Sequence, residues 1–140
     1  MKATANPTES DWFNLSNYSS SGAYVIYAAK GDVKIPFYVG ESAKIVARLG
    51  DYARASFAAA TDFKVGRTLR LLEEIGYEIL VEIEWTSDRK ARESELTERH
   101  SDRPLLNYLV GYNYTTAKEQ EVLSRLEDYV HKNFSAAQSG

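Results

Sequence analysis

Gly22-Ala23-Tyr24-Val25-Ile26-Tyr27-Ala28 and Ile35-Pro36-Phe37-Tyr38-Val39-Gly40 are two apolar runs rich in aromatic and β-branched residues, with the turn signal Lys30-Gly31-Asp32 between them. Two such runs joined by a short turn predict an antiparallel hairpin. Pro36 cannot donate a ladder hydrogen bond, so it belongs near the start of its strand or at a sheet edge. Further along, Tyr77 to Trp85 alternates apolar and polar residues, the pattern of a strand with one buried face, with Leu80 the one apolar residue on the polar side.

Helical patterns fill the rest. Ser42 is a candidate N-cap for a helix over 43–60, with Ile45, Leu49, Tyr52 and Phe57 inward. A second helix is expected over 64–75, with Val65, Leu69 and Leu72 inward and Gly76 as its C-terminal glycine. A third spans about 88–100 and stops before Pro104. Thr116-Ala117-Lys118-Glu119 is a capping box that opens a last helix running to about Phe134. The order β-β-α-α-β-α-α predicts an α+β (α/β) fold, a small sheet with helices packed against it. Residues 1–21 read as an N-terminal extension with few apolar anchors beyond Trp12, Phe13 and Leu15, and its Asn17–Ser21 run reads as a loop. Residues 22–107 read as the core, and 108–140 as a helical segment ending in a fraying tail.

A chain of 140 residues, 44% hydrophobic and 26% charged, is long enough for one domain with a real core. It has no cysteine, which excludes disulfides, thiolate metal sites and thiol catalysis, and only two histidines, His100 and His131. Any metal is therefore expected on oxygen ligands. No secretory signal and no membrane span is expected, and the expected setting is intracellular and cytoplasmic. The net charge of −3 is unevenly spread. Residues 30–72 hold eight basic and four acidic side chains (+4), whereas 73–98 hold nine acidic and three basic ones (−6). That is compatible with a phosphate-binding face beside a metal-binding face, and equally with ordinary solvated helix surfaces.

Three groups of side chains could carry chemistry. On the third helix, Glu95 lies one turn after Ala91, on the side expected to face inward, where a buried carboxylate needs a partner such as a divalent cation. A solvated acidic helix with ion pairs to Arg92 and Arg99 accounts for the same residues. On the first helix, Lys44, Arg48 and Tyr52 recur every four residues. Arg48 therefore sits at the margin of the core, where a guanidinium either snorkels or grips a phosphate. Ten tyrosines include Tyr24, Tyr27 and Tyr38 on the two strands. A strand tyrosine is core or rim, or a proton relay if cations depress its pKa.

Taken in order, these residues resemble the GIY-YIG nuclease family. Gly22-Ala23-Tyr24 and Tyr38-Val39-Gly40 are similar to its two strand motifs, with Ala23 in place of a larger aliphatic. Arg48 stands eight residues after Gly40 and Tyr52 four further on. Glu95 is followed by Pro104 and Asn107, as in the family's glutamate and Pro-x-x-Asn ending. The matched span, 22–107, is about 60% of the chain (86 of 140 residues). Glu41 departs from the lysine common in the repair-type members.

The resemblance implies a three-stranded antiparallel sheet flanked by helices and hydrolysis of a DNA phosphodiester with one Mg²⁺ or Mn²⁺. It implies Glu95 as metal ligand, Tyr24 as general base supported by Tyr38, Arg48 on the developing charge, Tyr52 as orienting group or relay, and Asn107 shaping the site. At least one tyrosine is then expected to have a depressed pKa beside Arg48 and the metal. DNA is the implied partner, with Lys44, Arg48, Arg54, Lys64 and Arg67 as contacts. A homodimer or sequential nicking would cut both strands. Two other readings stand beside this one. The first is a non-catalytic nucleic-acid-binding module on the same scaffold. The second is a protein-binding domain that uses Tyr108, Tyr112 and Tyr114.

Overall fold

Gly31 turns the hairpin. Its φ of +61° lies in the left-handed region that glycine enters without steric cost, and it joins β2 (Gly22–Lys30) to β3 (Val33–Ser42). The register places Tyr24 opposite Gly40 and Ile26 opposite Tyr38, then slips so that Tyr27 faces Pro36. Phe37 is the extra residue of that bulge. The computed structural model describes residues 2–6, 21–109 and 118–135. Within it β4 (Glu78–Trp85) pairs antiparallel with the other side of β2, completing the expected three-stranded antiparallel sheet with β3 at an edge. Pro36 therefore lies on an edge strand, where its missing N–H breaks no ladder.

A fourth strand extends the sheet. β1 (Lys2–Asn6) pairs parallel with β4, so the segment read as an extension contributes to the fold. Lys-Ala-Thr-Ala-Asn is short, and a parallel partner is announced by no nearby turn, so nothing local signals it.

The helices follow the expected order with shifted ends. α1 (Ile45–Arg54) stops where Ala55 takes a φ of +49° and donates its N–H to the Asp51 carbonyl. α2 (Ala60–Glu74) begins earlier than its apolar pattern suggests, and Phe57 lies in the connection with its ring edge-on to Phe63 at 5.1 Å. Ser42 ends β3 and does not cap α1; its Oγ accepts the Lys44 N–H one residue ahead of the helix. Gly76 follows α2 with a φ of +99°, as expected of a C-terminal glycine. α3 (Arg89–Arg99) is followed by a 3-10 turn, Leu106–Tyr108. α4 (Glu119–Val130) continues into a π-helical turn, His131–Ser135. Trp12, Phe13, Leu15, positions 17–20, Thr116, Ala117, Tyr112, Tyr114 and the tail beyond 135 lie outside the described residues.

The sheet buries both faces. Tyr24, Ile26, Ala28, Ile79, Val81 and Ile83 pack on one side with α1, α2 and α4, through Leu49, Tyr52, Leu69, Leu72, Leu126 and Phe134. On the other side Ala23, Val25, Tyr27 and Val39 pack with Leu96 of α3 and with Leu105. Leu80 belongs to this second layer, which explains the one break in the alternation of β4. Each fully buried side chain of this size contributes about 1.5–3 kcal/mol, so the larger first layer dominates stability. No helix among the described residues is long and apolar enough to cross a membrane.

α1 and α2 meet at Gly66, where a Cβ would lie 2.1 Å from the Tyr52 carbonyl oxygen and 2.6 Å from the Ala55 Cβ. Neither neighbour is the free end of a flexible side chain. Gly66→Ala is expected to destabilise by about 3 kcal/mol or more in denaturant unfolding, the upper range of overpacking. Gly50→Ala, whose nearest neighbour would be Arg54 Nη1 at 3.8 Å, should be neutral or stabilise by up to ~1 kcal/mol. Equal effects at both positions would contradict this packing.

Candidate active site

Tyr24 of β2 and Tyr52 of α1 are both buried and share a hydroxyl–hydroxyl bond of 2.5 Å. Gly40 makes room for it, since a Cβ there would lie 2.5 Å from the Tyr24 hydroxyl. This is the physical reason for glycine at the end of the Tyr-Val-Gly run. Tyr38, half-buried on the edge strand, sets its ring edge-on to Tyr52 at 6.0 Å. Arg48 lies one turn before Tyr52, with its guanidinium carbon 4.9 Å from the centre of that ring. Arg48 Nη1 is 2.6 Å from Asp62 Oδ1 of α2 and 3.7 Å from Asp51 Oδ2. Burial works against its charge, but Tyr52, Asp62 and Tyr24 outweigh it and keep the guanidinium a fixed cation. Its side chain is 30% exposed, at the margin of the core as expected.

Arg48 alone does not depress the pKa of these phenols. Burial pushes Tyr24, Tyr38 and Tyr52 well above the ordinary 10.0, and the opposing pull of Arg48 is smaller. All three are neutral hydroxyls at neutral pH. Tyr24 is fully covered, so Tyr38 is the most accessible of the three.

Helix α3 corrects the position of the carboxylate. Glu95 does not face inward: it is 62% exposed and pairs with Arg92 at 2.5 Å, while Arg92 also binds Glu84. The single buried residue of α3 is Leu96. Residues three apart share a helix face, so Glu93 lies with Leu96, whereas Ala91 is exposed. Glu93 is half-buried and its pKa is raised, first by burial and then by Glu41. Its charge is also felt at Tyr38. Glu41, two residues after Val39 on the same side of the strand, pairs with Arg89. Among the described residues no cation pairs with Glu93, and no three or more His, Cys, Asp or Glu come together. The donor set is one half-buried carboxylate with a second opposite. That fits a hard divalent cation which keeps most of its water, as Mg²⁺ does.

Asn107 is part of the scaffold. Its Oδ1 accepts the Val39 N–H at 3.0 Å and its Nδ2 donates to the Val39 carbonyl at 2.7 Å. The amide thus acts as one rung of an absent strand on the β3 edge, beside Tyr38 and Gly40.

The basic residues divide. Lys44 is exposed just before α1, and Arg54 is exposed and pairs with Asp51. Lys64 and Arg67 lie about 140–160° around α2 from Asp62, at 3.6 residues per turn, and so do not share a face with the residue that holds Arg48. Local patterning does not reveal Glu93 or Asp62. Leu96, the strongest apolar residue of α3, is the signal that marks the face of Glu93; Asp62 has no local signal, because its partner is fourteen residues away.

Two measurements check this geometry. Asn107→Ala is expected to lower stability by ~1–3 kcal/mol and to remove hydrogen-exchange protection at the Val39 amide; unchanged protection there contradicts the clamp. A buried phenol with a raised pKa binds its proton more tightly folded than unfolded. Its contribution is full below the ordinary 10.0 and is lost as pH rises beyond it. Stability should therefore fall above that pH, with tyrosinate absorbance from these rings appearing together with unfolding. A ring of this group that ionises reversibly below 10.0 in the folded chain contradicts the burial argument.

No protein-family model, no curated protein and no solved structure matches the chain.

Proposed function

We propose that the chain is a metal-dependent endonuclease that hydrolyses DNA phosphodiester bonds, as the GIY-YIG nucleases it resembles do. The observation that carries this reading is one convergence. A guanidinium from α1 and phenols from β2, β3 and α1 meet at the β3 edge, and Tyr38 there feels the charges of both Arg48 and Glu93, a carboxylate of α3 with no ion pair among the described residues. Phosphodiester hydrolysis needs these parts: a cation on the developing charge, a positioned water and a carboxylate for a Lewis acid.

Arg48 would bind the scissile phosphate through a planar edge and stabilise the charge that grows on its oxygens. Glu93, with Glu41 opposite, would hold Mg²⁺ or Mn²⁺, which when bound supplies a Lewis acid and an acidified water. Tyr38 would orient the attacking water through its phenolic oxygen. Burial is the main cause that keeps Tyr38 protonated and the Glu93 charge only a minor one, so Tyr38 would act as a neutral hydroxyl that hydrogen-bonds the water. Tyr24 and Tyr52, joined behind it, would hold Arg48 and relay protons. Lys44 and Arg54 would add contacts to the DNA backbone. With one site per chain, cutting both strands would take two copies or two successive nicks. Such an enzyme would act inside the cell, where its DNA is.

The test is nicking of supercoiled plasmid in Mg²⁺ and in EDTA. Wild type should nick only with the metal, and Arg48→Lys should fall by at least ~10²-fold, as for other lost transition-state donors. Glu93→Gln should be inactive while Glu95→Gln cuts at close to the wild-type rate. Tyr38→Phe should lose more activity than Tyr24→Phe; the reverse order would mean that DNA binding uncovers Tyr24. Cleavage that ignores EDTA and Arg48→Lys contradicts the proposal. Tight DNA binding without cleavage would make the chain a non-catalytic binding module.

A further inference from the structure

We infer that Asp62 is a positioning residue for Arg48, holding the guanidinium edge-out for the phosphate. This rests on the nuclease reading above. Two carboxylates face Arg48, and they are not equivalent. Asp51 is 34% exposed, stands 3.7 Å from Nη1 and is already paired with Arg54 through Oδ1. Asp62 is 13% exposed and stands 2.6 Å from Nη1. Its Oδ1 is buried, and its partner among the described residues is the Arg48 guanidinium. Such a contact fixes where the guanidinium sits through one of its nitrogens.

The second restraint is the ring of Tyr52, over which Arg48 lies at 4.9 Å. An arginine held by an ion pair, by the face of one ring and by hydrogen bonding to the Tyr52 and Tyr24 hydroxyls has little rotamer freedom left. A guanidinium has five N–H donors, so the pair with Asp62 and the bonds to the tyrosine hydroxyls still leave donors for phosphate oxygens. Asp62 is also the one acid in the first turn of α2, where the helix dipole favours a negative charge. It therefore ties the catalytic arginine of α1 to the start of α2, across the Gly66 contact.

The test compares wild type, Asp62→Asn, Asp62→Glu, Arg48→Lys and the double variant in Mg²⁺-dependent cleavage of a DNA duplex. kcat and KM are read separately, with melting temperature and DNA affinity alongside. Asp62→Asn should lower kcat by about 10- to 100-fold, the scale expected of a small misplacement. KM, DNA affinity and melting temperature should stay close to wild type. Asp62→Glu, which keeps the charge one methylene further out, should recover part of the rate, and it serves the same purpose if Asp62→Asn does not fold. In the Arg48→Lys background, removal of the Asp62 charge should change the rate by less than ~2-fold, because the two residues act as a unit.

Faster cleavage or tighter DNA binding by Asp62→Asn would make Asp62 a competitor of the phosphate and overturn the inference. Equal losses in both backgrounds would overturn it too. If wild type cleaves and Asp62→Asn cleaves equally well, this inference alone fails. If wild type cleaves no DNA in Mg²⁺, the nuclease reading fails and takes the inference with it.

Discussion

The hydroxyl bond between Tyr24 and Tyr52 constrains everything around it. Two phenols that are fully buried must satisfy their polar ends, and here each is the other's partner at 2.5 Å. That fixes the distance of α1 from the sheet. It requires a residue without a side chain at position 40, and it puts Arg48 one turn before Tyr52, beside the ring that supports it. The bond belongs to the core by burial and to the candidate site by position, so stability and the proposed function would depend on the same atoms.

Electrostatics divide the molecule along the β3 edge. On the α1–α2 side Arg48 is held by Asp62 and Asp51. On the α3 side Arg89 and Arg92 are engaged by Glu41, Glu84 and Glu95, which leaves Glu93 as the half-buried carboxylate without a described cation. Tyr38 thus feels a cation, Arg48, and an anion, Glu93, that has no ion pair among the described residues. Exposed ion pairs add little to stability, so the arrangement has its consequence in the placement of charge.

The hairpin, its turn and the strand from Glu78 could be read from the chain, because alternation and glycine punctuation are local signals. The arginine, the tyrosines and Asn107 could be read as well, because their spacings along strand and helix survive folding unchanged. The strand Lys2–Asn6 could not, since it is a parallel partner far away in sequence. The α1–α2 break could not either: Ala55 takes a left-handed conformation without the glycine that normally announces it. The face of α3 that meets the sheet is set by Leu96, because Ala91 is too small to define a face and is exposed. For Asn107 the residue was identifiable but its work was not. Only the pairing geometry shows an amide closing a strand edge.

The proposed activity requires Arg48, Tyr38 and Glu93 to form one site. The most direct measurement is a crystal structure of the chain with a DNA duplex and Ca²⁺, a hard cation that takes oxygen ligands as Mg²⁺ does. It should place the scissile phosphate within hydrogen-bond distance of the Arg48 guanidinium, with the cation on Glu93 and a water between them and Tyr38. A phosphate seated on the Lys64–Arg67 side of α2, or a cation bound at Glu95 with Glu93 empty, would contradict it.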